Sequence, residues 1–97
     1  MTAAEIVAAA LEFYGVSKAR LTNHSNRDAD EMDCRAAIAF LLNARLGYSP
    51  RRAAKAVGYL ESTLGASWDR LRLRVLESAR LRSQIDRICP ETKARAA

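Results

Sequence analysis

The residues with chemistry to offer are concentrated between positions 49 and 68. Ser49-Pro50 opens that stretch, Arg51, Arg52 and Lys55 follow at helical spacing, and Glu61, Ser62 and Thr63 come after Gly58. A helix beginning near Glu61 presents two short hydroxyls together with free backbone amides. These groups bond phosphates or base edges, and the Thr63 methyl can meet thymine. Glu61 either accepts a hydrogen bond from cytosine or caps its own helix. The three cations of the preceding helix suit phosphates beside a groove. Ser49, at the head of that helix, is counted with the same DNA-binding set.

Other chemistries find no residues to carry them. His24 is the only histidine, and it has no nucleophile, acid or metal-ligand partner at a recognisable spacing. Cys34 and Cys89 form no CxxC, and neither GxxxxGK[ST] nor GxGxxG occurs. The acids Asp28, Asp30, Glu31 and Asp33 lack the loop spacing of a calcium site. They read as charges at a helix start or as a face for a basic partner. The expectation is therefore a protein that is no enzyme and needs no metal or cofactor.

The elements that must position the basic stretch are helical. Thr2 and Glu5 have the form of a capping box, with Ile6, Val7, Ala10, Leu11 and Tyr14 recurring behind them until Gly15. Ser17 caps a short second helix to about Leu21, and 22–26 is a polar loop. A third helix begins near Asp28 or Asp30 and stops at Gly47. Ser49-Pro50 then combines a cap with proline at the first helical position, an informative start signal. A helix from about Glu61 to Glu77 carries Leu64, Trp68, Leu71 and Val75, the tryptophan as core. A last helix carries Leu81, Ile85 and Ile88 until Pro90. The prediction is an all-α domain of five or six helices over 1–89, followed by a loose tail at 90–97.

Charge separates the two ends of the chain. The 97 residues carry +5 in total, but 1–34 hold three bases against six acids, whereas 35–97 hold thirteen bases against five. A polyanion, if one is bound, meets the later two-thirds. Met1 to Val16 is apolar but broken by Glu5 and Glu12 and has no basic lead. It is thus expected to be neither a signal peptide nor a membrane span. The two cysteines read as reduced thiols of a cytoplasmic protein.

Residues 49–68 have the parts of a helix-turn-helix: a short capped helix, a glycine for the reversal, small Ala54 four before it, and Val57 and Leu64 to fill the space between the helices. An ordinary helical hairpin has the same parts. A wider likeness bears on the choice. Tyr14-Gly15-Val16 and Leu21 are followed by Arg27 and, eight residues on, by Arg35. Then come Ala36-Ala37-Ile38-Ala39-Phe40-Leu41-Leu42, Leu46-Gly47-Tyr48-Ser49, Ala56-Val57-Gly58 and Ser62-Thr63-Leu64. With these segments, 6–88 resembles the C-terminal DNA-binding domain of the bacterial replication initiator DnaA.

The resemblance implies an all-α, Trp repressor-like fold that binds a short asymmetric DNA box by a helix-turn-helix. It implies that Arg27 enters the minor groove, that Arg35 contacts the DNA backbone, and that Ser62 and Thr63 stand for the paired threonines of the recognition helix. The chain departs from the family at Leu60 and Glu61, where an aspartate and a histidine are the rule, and at Ala36, where a glutamine is. The turn after Gly58 is also one residue shorter. What is implied is a diverged DNA-binding domain acting as a transcription regulator, similar to the DnaA-like activators of gene transfer agents and prophage-derived genes, some of which act with a sigma-factor-like partner.

Two alternatives stay open on the sequence. The chain could be a replication-control protein competing for initiator boxes. It could also be a protein-interaction module whose acidic first third docks a polymerase or sigma-like subunit. Arg70 and Arg74 share a face and either extend the phosphate footprint or pair with Glu77 or Asp86.

Overall fold

The helix signals at Thr2, Gly15, Ser17, Asp28, Gly47 and Ser49-Pro50 set boundaries in a computed structural model, which describes residues 1–23 and 28–90 and leaves the side chain of Glu61 undescribed. His24, Arg27 and the tail 91–97 therefore lie outside the described residues. Among the described residues six α-helices follow one another: α1 (Ala3–Tyr14), α2 (Lys18–Thr22), α3 (Ala29–Leu46), α4 (Pro50–Ala56), α5 (Leu64–Glu77) and α6 (Ala79–Ile88). The described residues contain no strand.

Every start but that of α5 has a side-chain cap. The Thr2 hydroxyl accepts from the Glu5 amide at 3.2 Å while the Glu5 carboxylate accepts from the Thr2 amide at 2.9 Å, completing the capping box. The Ser17 hydroxyl caps α2, and Asp28 accepts from the Asp30 amide at 3.0 Å to start α3. Ser78 closes α5 and opens α6, its hydroxyl accepting from the Leu81 amide at 3.1 Å. Arg82 reaches back and donates to the Val75 and Leu76 carbonyls, satisfying the free end of α5.

α3 is the centre of the molecule and packs against α1, α2, α4, α5 and α6. Its sequence explains why. Positions 33–39, with Leu41 and Leu42, are buried on every side, and three of them are alanines that let neighbouring helices approach. Ile6 and Ala10 of α1, Leu71 and Val75 of α5, and Leu81 and Ile85 of α6 complete the core, with Trp68 packed at its margin as expected.

The acidic start of α3 is not the surface feature that its composition suggests. Glu31 and Asp33 are 3% and 2% exposed. Glu31 pairs with Arg20 of α2, while Asp33 receives Arg74 Nε at 2.8 Å and Arg80 Nη2 at 3.0 Å, tying α3 to α5 and α6. Arg74 is thus committed to Asp33 rather than to Glu77 or Asp86, and it is Arg45 that meets Asp86, at 3.4 Å. An acidic docking face loses half of its four carboxylates to these pairs.

Two weak acids tie the core to pH. Burial pushes the Cys34 thiol from 9.0 up to about 12. Burial, then the Asp33 carboxylate, pushes the Tyr14 phenol from 10.0 up to about 12, while its hydroxyl donates to Gln84 Oε1 at 2.9 Å. Both groups are held neutral in the fold and ionise earlier in the unfolded chain. The stability they contribute is intact below pH 9 and drains away as pH climbs towards 12, by up to about 1.4 kcal/mol per pH unit per group. Between pH 9 and 10 the thiol acts almost alone. Urea midpoints are accordingly expected to fall from pH 8.5 to 10.5 in the wild type and to fall less in Cys34→Ala; equal losses would mean that the thiol is not sheltered.

Candidate nucleic-acid interface

The basic helix α4 owes its position to its own start and to two buried alanines. The Ser49 hydroxyl accepts from the Arg52 amide at 3.2 Å, and Pro50 fills the first helical position, where no amide is needed. Ser49 is therefore a cap first, although it remains exposed. Ala53 and Ala54 are wholly buried, which allows α4 to lie close against α3 and α5. Arg51, Arg52 and Lys55 are left on the exposed side. The Arg52 guanidinium lies over the Tyr48 ring, 3.8 Å from its centroid, so one of the three cations is oriented before any ligand arrives.

The reversal from α4 to α5 is tight. The amides of Val57 and Gly58 donate to the Ala54 and Lys55 carbonyls, and that of Tyr59 also returns to Ala54. Gly58 has φ +92°, a conformation that L side chains rarely adopt, so a glycine is required there. Val57 is fully buried beneath the turn and Leu64 nearly so. Leu60 is 73% exposed.

The head of α5 differs from the expected single helix. Glu61–Thr63 form a turn of 3-10 helix, and α5 proper starts at Leu64 with no side-chain cap from Thr63. Ser62 and Thr63 are both exposed. The Thr63 hydroxyl donates to the Leu60 carbonyl at 3.1 Å, which leaves that oxygen to accept and its methyl to make apolar contact. The Ser62 hydroxyl makes no hydrogen bond among the described residues. Sequence reading did not separate the two hydroxyls, because the difference depends on the 3-10 geometry. A shallow cleft brings Thr22 and Asn23, at the end of α2, alongside Leu60 and Thr63.

Arg35 is a correction. Expected at the DNA backbone, it is 3% exposed. Its Nε donates to the Leu21 carbonyl at 2.7 Å, and its Nη2 donates to the carbonyls of Arg20 at 3.0 Å and Asn23 at 2.9 Å. These are the last carbonyls of α2 and its cap. The guanidinium closes a short helix from inside, with its Nε and Nη2 committed to backbone carbonyls rather than to a phosphate.

The structure thus brings Ser49, Arg51, Arg52 and Lys55 onto α4, sets Ser62 and Thr63 at the head of the helix packed against it, and removes Arg35. Among the described residues, no cluster of three or more histidine, cysteine or acid side chains could hold a metal ion, and no helix is long and apolar enough to cross a membrane. No family model, curated protein or solved structure matches the chain.

Proposed function

We propose that this protein binds double-stranded DNA sequence-specifically through a helix-turn-helix built from α4 and α5, and acts in the bacterial cytoplasm as a transcription regulator of the activator type. One observation carries this reading: the exposed Ser62 and Thr63 head a helix packed against α4, whose exposed side bears Arg51, Arg52 and Lys55. In this arrangement the head of α5 enters the major groove and α4 lies along the phosphates. Arg27 follows Asn23 by four residues, and Asn23 lines the cleft that Thr63 lines. Four residues span up to about 13 Å, enough for an arginine to enter an adjacent minor groove. The likeness of 6–88 to the DnaA DNA-binding domain supports the same docking mode.

Gly65 gives a test with opposite signs. It lies exposed in the first turn of α5 without a left-handed φ, and a Cβ built on it meets nothing within 4 Å. Nothing in the protein itself requires a glycine there, whereas close approach of backbone to a base pair does. Gly65→Ala is expected to stabilise the free protein by about 0.5–1 kcal/mol and to weaken retardation of duplex DNA in a gel. The parent experiment is a mobility-shift series at low salt with fragmented genomic DNA and random duplex. Selective retention of particular fragments is expected; no retardation of either DNA would end the proposal.

A further inference from the structure

A second surface lies on the later half of α5, away from its head. Leu73 and Leu76 are three apart, share a helix face and are 52% and 48% exposed. Beside them is a cleft of about 420 Å³ whose apolar lining comes from Met32, Tyr59, Leu71 and Leu73. Its charged lining, among the described residues, is Arg35, Arg70 and Arg74 against the carboxylate of Glu77, and with Arg74 neutralised by Asp33 behind it the lining keeps one positive charge in excess. Arg35 is held by backbone carbonyls and Arg74 by Asp33, so both keep their positions. Arg70 is exposed, and its guanidinium makes no hydrogen bond or ion pair among the described residues.

An apolar floor under an excess of guanidinium charge complements a carboxylate carried on an apolar neighbour. A small organic acid would fill the cleft but leave Leu76 uncovered. A peptide segment covers both, with one apolar side chain in the cleft, a second on Leu73 and Leu76, and a carboxylate at Arg70. We infer that this face of α5 docks an acidic amphipathic segment of another protein. The inference does not depend on DNA binding, and the two can fail separately.

The test uses a fluorescent 18-residue peptide with leucines at i, i+3, i+4 and i+7 and glutamates on its remaining face, next to a twin with lysine for glutamate. The glutamate peptide is expected to raise anisotropy with the full chain and to shift the Leu73 and Leu76 methyl resonances, while the lysine twin does neither. Arg70→Glu is expected to weaken the glutamate peptide by about tenfold. The surface double variant Leu73→Ser/Leu76→Ser is expected to abolish binding without altering gel retardation of DNA. Equal binding of both peptides, methyl shifts confined to another face, or undiminished binding by the double variant would overturn the inference. So would sedimentation of the free protein as a dimer with Leu73 and Leu76 protected, because the occupant would then be a second copy.

Discussion

Arg35→Met is expected to destabilise the protein by about 3 kcal/mol or more, because removing one partner of a buried charged network strands the others. The guanidinium supplies three hydrogen bonds to carbonyls at the end of α2, a helix of five residues that would not hold together alone. α2 ends on Asn23 in extended conformation, without the left-handed glycine that closes α1 and α3. Once the guanidinium is gone, those carbonyls face an apolar side chain, and Leu21, 2% exposed, loses its anchor in the core. Arg35→Lys restores the charge but not the planar fork, and should recover only part of the loss. Urea unfolding with the slope held constant measures both variants. A phosphate-contacting Arg35 would behave oppositely: Arg35→Met would unfold at the wild-type midpoint and bind DNA less tightly.

The same residue marks where local rules stop. Starts and stops of helices were legible because they depend on neighbours in the chain: Thr2 with Glu5, Ser17, Asp28, Ser49 with Pro50, and glycines 15, 47 and 58, the last three all with positive φ. The inward direction of Glu31, Asp33 and Arg35 was not legible. Charged residues near the start of a helix ordinarily face water, and these are buried because α2, α5 and α6 bring cations and carbonyls to them from positions up to 47 residues away. Periodicity gave no warning either, since a helix surrounded on all sides has no polar stripe from which direction can be read. At the candidate interface, the order Ser49, Arg51, Arg52, Lys55, then Ser62 and Thr63 was readable from spacing. The stacking of Arg52 on Tyr48 and the difference between the two hydroxyls were not, because each depends on a turn whose shape the residue types leave open.

Removing Arg35 from the set of phosphate contacts changes the expected salt dependence of DNA binding, and this yields the largest effect on function. Each phosphate neutralised contributes about 0.9 to the slope of log affinity against log salt. Arg51, Arg52 and Lys55 together then account for about 2.7, which corresponds to roughly a fortyfold loss of affinity between 50 and 200 mM salt. Replacing all three with alanine is expected to reduce the measured slope by that amount and to weaken every duplex about equally, because phosphate contacts carry no sequence information. Their exposure on a helix fixed by buried Ala53 and Ala54 makes the replacement a test of charge rather than of folding, and unchanged urea midpoints check that premise. Arg35→Lys serves as the internal control: it keeps the charge and hence the slope in either case, but as a buried anchor it lowers stability, whereas a fourth phosphate contact would keep stability. A triple variant that retains the wild-type slope would move the polyanion away from α4, and with it the reason for aiming the head of α5 into a groove.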